Sequence, residues 1–554
     1  MNTKLSLFLV SLSTVFIVSA CGGEGSISST TPANNAASAI PMAAAVDTIG
    51  NNNSGYPAGP NLGGYYSSAA PTCGSSPTVE CLERVYESNF CQLDQGGSLA
   101  SAQCQANIAY IASQPETGNF DLNKKPILNN SVGVTGVNFS SINYATTVPL
   151  PNGNQTFTVS GGLAMPTGIE KSKIKGVITY FHGTQLDNQD VGSNISSPNT
   201  LLALSVFTSQ GYIVVLPDYI GQGANYGDVH PYVIYPQATA KTAIDMLSAV
   251  KQSIQSQYGY VATDKLKLFS IGYSEGGAYS LWFNAYINDN PKVLDAFYTL
   301  THSVGAEGAY STSDVTKSFL FADVSKSPNL FNIQNQWLTN GVKPALFADA
   351  MLSFATYSLN ADFSLFNPAF YALTCGNSLL ADQAKCKFGA TKYNLAQSFR
   401  LSATSPASQV LNSAFGKTMG NYTFIENELM LFISSHNSAF SLLSSEDLAN
   451  GSTAIGAKLN AALVAADVNL SNIPNRSVSI ITLDQDSVVS PNNYDVLLGK
   501  YAAKIKTAIK IPAEMIQVVS PLSTNKSALK YMPTDHIEGN AYTFLYALNI
   551  FNQF

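Results

Sequence analysis

Lys265–Ser280 reads KLKLFSIGYSEGGAYS, and the fold turns on it. Leu266, Leu268, Phe269 and Ile271 form a short apolar run of strand length. Gly272-Tyr273-Ser274-Glu275-Gly276 follows without a spacer, and then Ala278, Leu281, Trp282, Ala285 and Tyr286 recur at helical spacing. The bare Gly-x-Ser-x-Gly pattern arises by chance in a long chain, so its context carries the meaning. Strand, pentapeptide and helix in that order predict a sharp turn that pushes the serine out at the carboxyl end of a sheet. Glycines flank it because side chains do not fit beside so tight a backbone. The helix that begins there offers unpaired amide N–H groups to a developing oxyanion.

Working outward, strands alternate with helices. Gly176–Phe181 (GVITYF) is a buried strand ending in His182-Gly183-Thr184. Pro198 opens a helix through Leu201, Leu202 and Leu204, and Tyr212–Leu216 (YIVVL) is the next strand. Ala240, Ala243, Ile244, Leu247, Val250 and Ile254 share one face of another helix. After the Ser274 unit comes a strand from Ala296 to His302. Upstream, Asn143–Val148 and Thr156–Met165 read as a hairpin about Pro151-Asn152-Gly153-Asn154. This pattern predicts an α/β fold, a mostly parallel sheet with helices on both faces. The alternation breaks over 312–470, an aromatic-rich helical stretch read as a cap inserted into the sheet domain. The sheet resumes with Ser477–Thr482 and Glu514–Ser520, around a helix carrying Tyr494, Leu497, Leu498 and Tyr501, and a helix from Ala541 to Phe551 closes the core.

A serine hydroxyl needs a base in reach and an acid to orient that base. In this topology the order along the chain is Ser, acid, His. Of His182, His230, His302, His436 and His536, only His536 follows Ser274 with further strands between them and lies outside the cap; it is expected in a loop before the last helix. Leu483-Asp484-Gln485-Asp486 offers two candidate acids after the preceding strand. The oxyanion donors are expected to be the backbone N–H groups of Glu275 and Thr184, with Gly183 allowing close approach, so that for this role the two side chains need not matter. His182 reads as a structural hydrogen-bonder, and Asp218 and Tyr219 as loop-shaping residues. The carboxylates and histidines show no metal-ligand spacing, so no metal is expected.

Together these residues resemble the α/β-hydrolase superfamily, over about 140–554 apart from the cap. Pro217-Asp218-Tyr219-Ile220-Gly221-Gln222-Gly223, His230-Pro231-Tyr232 and Gly272–Gly277 are similar to the secretory lipases and esterases. The resemblance implies a Ser274–Asp486–His536 triad, a helical cap over an acyl pocket, an ester substrate and no cofactor. It favours Asp486 because Asp-x-x-Val is similar to the family's acid turn, with Asp484 as the alternative. The His-Gly-Thr loop departs from the His-Gly-Gly-Gly lipase subclass. A serine peptidase of the prolyl-oligopeptidase-like group, or a non-catalytic surface lipoprotein on a hydrolase scaffold, are the competing readings.

The remaining sequence concerns location. The chain has 554 residues, 45% of them apolar and 11% charged, with net charge −7. No basic stripe is present, so nucleic acid is not an expected partner. Leu5–Val18 has the length of a signal-peptide core, and Val18-Ser19-Ala20-Cys21 resembles a bacterial lipobox. That resemblance implies a signal peptide over 1–20, lipidation of Cys21 and a membrane anchor, with Gly22 favouring the outer membrane. Residues 21–70, rich in Gly, Ser, Asn, Ala and Pro, read as a flexible tether. Residues 71–130 form a disulfide-containing segment, helical around Val79–Phe90. The core then occupies 131–311 and 471–554. Apart from Cys21, the cysteines are Cys73, Cys81, Cys91, Cys104, Cys375 and Cys386, an even set that suits disulfides in an exported chain. Cys375 and Cys386 are expected to pair, while the first four admit three pairings.

Overall fold

The computed structural model describes residues 47–49, 73–91, 132–185, 190–225, 228–320, 343–360, 454–484, 486, 488–511 and 534–554. Cys21, the Cys375–Cys386 pair, most of the tether, and the strand expected at Glu514–Ser520 lie outside these residues.

Among the described residues, nine strands form one sheet. They are β1 (Asp47–Ile49), β2 (Gly136–Leu150), β3 (Gly153–Thr167), β4 (Gly176–Phe181), β5 (Tyr212–Pro217), β6 (Leu266–Tyr273), β7 (Tyr298–Ala306), β8 (Val478–Leu483) and β9 (Ile505–Ile511). The order across the sheet is β1-β2-β3-β5-β4-β6-β7-β8-β9. From β5 to β9 every pairing is parallel, and β1, β2 and β3 add an antiparallel edge. β2 and β3 are the expected hairpin, in register from Gly136↔Thr167 to Leu150↔Gly153, so that Pro151 and Asn152 make a two-residue turn. Gly153 sits beyond it with φ of 115°.

The helices are α1 (Val79–Cys91), α2 (Pro198–Val206), α3 (Pro236–Tyr258), α4 (Glu275–Asp289), α5 (Lys317–Leu320), α6 (Lys343–Ser358), α7 (Ala454–Ala466), α8 (Asn492–Tyr501) and α9 (Thr534–Phe551). Proline at the first position starts α2 and α3, where its missing N–H costs nothing. α3 ends at Gly259, whose φ of 67° suits a residue without Cβ. One face of the sheet, through Ile178, Tyr180, Val214, Phe269 and Ile271, packs on α1, α2 and α9. The other, through Val177, Phe181, Ile213, Val215 and Leu268, packs on α3 and α4. α4 also meets α8 over β8, through Leu281, Tyr494, Leu497 and Ile480. Burial on both faces explains why the central strands read as unbroken apolar runs.

Three elements differ from expectation. β7 begins and ends later than 296–302, running to Ala306. β9 was not expected; its alternation of buried Ile505, Ile509 and Ile511 with charged Lys506 and Lys510 belongs to a strand at the sheet edge. α9 begins at Thr534, so His536 stands in its first turn and not in a preceding loop. Of the expected cap, Thr312–Leu320, α6 and α7 are helical, while 359–360 and 467–470 are bends or irregular chain. α1 has the expected extent, and Cys73 is bonded to Cys81.

Candidate active site

Ser274 lies between β6 and α4 with φ of 57° and ψ of −123°, a conformation that L-residues rarely adopt. Its N–H donates to the Ala306 carbonyl at 2.9 Å, and its own carbonyl accepts from Gly277 N–H at 2.9 Å. A methyl group on Gly272 would overlap the Gly276 carbonyl, and one on Gly276 would overlap the carbonyls of Phe181 and His182. The two glycines therefore let β6 turn directly into α4 beneath β4, which is what holds the strained serine backbone in place.

α9 brings His536 across the chain to this turn. Its Nε2 lies 2.9 Å from Ser274 Oγ and its Nδ1 lies 2.5 Å from Asp486 Oδ2. A carboxylate only accepts, so Nδ1 carries the hydrogen and Nε2 is left to accept from the serine hydroxyl. The Tyr273 hydroxyl donates to the His536 carbonyl at 2.5 Å, which ties the base's backbone to the residue before the serine. Asn540, one turn further along α9, donates to Asn199 Oδ1 at 2.9 Å and fixes that helix on α2.

The loop after β8 supplies Asp486, which is buried, whereas Asp484 is exposed and donates its N–H to Ile511. Asp486 Oδ1 accepts from the N–H groups of Val488 and Val489 at 2.6 and 2.7 Å. Burial pushes its carboxyl up, but the adjacent His536 ring and its hydrogen bond outweigh this and hold it below the ordinary range.

Of the two expected amides, Glu275 N–H is at the first position of α4, where no intrahelical acceptor exists. The loop carrying Thr184 is also against the serine: a Cβ on Gly183 would stand 3.3 Å from Ser274 Cβ and 3.9 Å from its Oγ. Thr184 Oγ1 reaches the Tyr232 hydroxyl at 3.5 Å.

The Glu275 side chain has partners of its own, which the sequence reading did not address. Its buried Oε1 lies 2.5 Å from His230 Nε2 and accepts from the Tyr279 hydroxyl at 2.5 Å. Burial pushes this carboxyl up, yet the His230 ring beside it holds it low. His182 is a structural partner as expected: Nδ1 contacts the Gly183 carbonyl at 2.8 Å and the ring stacks on Tyr219, with burial pushing its pKa down to about 4. Asp218 accepts from Ser160 Oγ at 2.6 Å and from Ser193 N–H at 2.7 Å, and Tyr219 Oη donates to the His182 carbonyl, so both shape the loops beside the serine. His302 is far from this chemistry in role, buried with Nε2 2.8 Å from Ser479 Oγ.

One carboxyl escaped the sequence reading. Glu307, directly after β7, is buried, and its carboxyl accepts from Leu483 N–H and the Thr482 hydroxyl at the end of β8, the strand that leads into Asp486. The available signal was positional: β7 and β8 are neighbours, and both are followed at their carboxyl ends by an acid.

No protein-family model matches the sequence, and no curated protein sequence matches it. Among solved structures, the rice cell wall degrading esterase LipA from Xanthomonas oryzae is similar at 17% identity over 73% of this chain and 91% of its own, with a TM-score of 0.50. Candida antarctica lipase A in its closed state is similar at 12% identity over 73% of this chain and 80% of its own, with a TM-score of 0.40. The sheet order, the turn at Ser274 and the similarity to LipA agree: this chain has an α/β-hydrolase fold.

Proposed function

We propose that the protein is a serine carboxylic ester hydrolase. The observation that carries this reading is the contact chain from Ser274 Oγ through His536 to Asp486, at 2.9 and 2.5 Å. Ser274 Oγ attacks the ester carbonyl carbon while its proton passes to His536 Nε2. Asp486 holds the ring in the tautomer with Nδ1 protonated and stabilises the imidazolium that forms. The carbonyl oxygen, now negative, takes hydrogen bonds from the amides of Glu275 and Thr184. The alcohol departs with the proton from Nε2, leaving an acyl-serine. A water then gives its proton to Nε2 and attacks the acyl carbon; Nε2 returns that proton to Ser274 Oγ as the acyl–serine bond breaks and the acid is released. The esterase LipA has a similar fold, which supports esters as the substrate class. A fluorophosphonate probe tests the assignment: it labels the wild-type protein on Ser274 and leaves Ser274→Ala unlabelled. Full activity of Ser274→Ala on short-chain nitrophenyl esters would overturn the reading.

We further propose that the enzyme is exported and anchored to the cell envelope by acyl chains on Cys21. The Val18-Ser19-Ala20-Cys21 sequence after an apolar core supports this. One acyl chain gives marginal membrane binding, and several give a stable anchor. Growth with an alkynyl fatty acid checks it: the wild-type protein takes up label and Cys21→Ser takes up none.

A further inference from the structure

Two buried carboxyl groups placed close together repel each other when both are ionised, so one of them is driven to keep its proton. Asp486 and Glu307 are such a pair: both are buried, and Glu307 is held at the end of β8, the strand that leads into the Asp486 loop. The donors around each decide where the proton resides. Asp486 accepts from His536 Nδ1 and from the N–H groups of Val488 and Val489. Glu307 accepts from Leu483 N–H. Its second donor, the Thr482 hydroxyl, has one hydrogen and two acceptors in reach, Glu307 Oε2 at 3.1 Å and the Leu483 carbonyl at 3.2 Å. Asp486 thus has three donors, one of them the imidazole that becomes cationic during turnover, and Glu307 has at most two. Negative charge is better supported on Asp486.

We propose that Glu307 is a positioning residue for the base: it stands protonated at neutral pH and donates its carboxyl O–H to Asp486. The inference rests on the hydrolase reading above for its kinetic consequences. Glu307 is well placed to act rigidly. Its N–H donates to the Ile481 carbonyl at 2.9 Å, and its side chain is clamped by Leu483, so β7 and β8 fix it from both sides. The titratable groups that act on it are Asp486 and the buried hydroxyl of Tyr310. Burial and the negative Asp486 both push the Glu307 carboxyl well above the usual range, in keeping with the donor count. The arrangement gives Asp486 a fourth donor without adding a second negative charge behind the imidazole. That keeps the ring in one orientation without over-stabilising the imidazolium.

Two measurements test this. The first needs no turnover: the infrared difference between the wild-type protein and Glu307→Gln at pH 7 should show a carboxylic acid carbonyl band lost in the variant. Loss of a carboxylate band in its place overturns the proposal. The second is kinetic. Glu307→Leu removes the donor and should lower kcat by about 10- to 100-fold with little change in KM, as expected when a base is misplaced. Glu307→Gln keeps an N–H donor for Asp486 and an oxygen for Leu483, and should recover most of that loss with the acid limb of kcat/KM unmoved. Unchanged kcat in Glu307→Leu overturns the proposal, as does an acid limb displaced to lower pH in Glu307→Gln, the sign of a lost negative charge. Should Glu307→Leu not fold, the infrared band and the glutamine variant still decide. Fluorophosphonate labelling of Ser274 in the same samples separates failure of this proposal from failure of the hydrolase reading.

Discussion

Asp484 and Asp486 are two residues apart, and their surroundings divide them: one is exposed, the other is buried against His536 Nδ1. If Asp486 orients the base, Asp486→Asn puts an N–H donor or a less basic oxygen against Nδ1 and favours the wrong tautomer. We expect kcat to fall by about 10⁴-fold with KM nearly unchanged. Asp484→Asn should stay within about twofold of wild type, since an exposed carboxylate of this kind contributes little. Steady-state kinetics on a nitrophenyl ester reads both. The sequence favoured Asp486 only through its resemblance to the family's acid turn, because a spacing of two residues within a loop does not by itself say which side chain turns inward. It proposed Ser274 and His536 as a pair, since chain order and the strand count between them leave few arrangements, and the two side chains lie 2.9 Å apart. Glu307 was missed because no motif surrounds it; its importance comes from the pairing of β7 with β8.

Among the elements, the turn between β6 and α4 has the least room. Gly272→Ala and Gly276→Ala each force a methyl group into backbone atoms that cannot retreat, and both should destabilise the protein by about 3 kcal/mol or more or prevent folding. Gly499 lies in α8 with nothing near its missing Cβ. Gly499→Ala should therefore leave stability unchanged or raise it by about 0.5–1 kcal/mol. Thermal midpoints of the three variants provide the comparison. The central strands and α3 were legible because their sequences match one clear period each. β9 was not, because IKTAIKI alternates weakly and its lysines mask the three buried isoleucines. The start of α9 was also misplaced: Thr534-Asp535-His536 reads as loop chemistry, yet the helix already begins at Thr534.

For the whole molecule, pH enters through buried histidines. His302 is enclosed with its Nδ1 without a partner and Lys506 nearby, and burial, aided by that lysine, pushes its pKa down from 6.5 to about 3. Below pH 6.5 the unfolded chain takes up a proton that the folded protein refuses, so this group's stabilising effect is complete above pH 6.5 and is lost as the pH falls toward 3. Between pH 6.5 and about 4 the loss amounts to roughly 3 kcal/mol. His302→Gln cannot take that proton, so its thermal midpoint should decline less than that of the wild type when the pH is lowered from about 7 to 4. Equal declines would show that the imidazole titrates alike in both states.

The proposed base, His536, is borne by α9, a helix that also presses Phe544, Leu545, Leu548 and Phe551 into the apolar layer shared with β4, β5 and β6. A chain severed between Ile511 and Thr534 would separate nucleophile from base onto two pieces, each silent by itself. The aromatic surface on the smaller piece would drive reunion; on the proposed hydrolase reading ester turnover would announce it, which would make the molecule a split reporter of proximity between two fused partners.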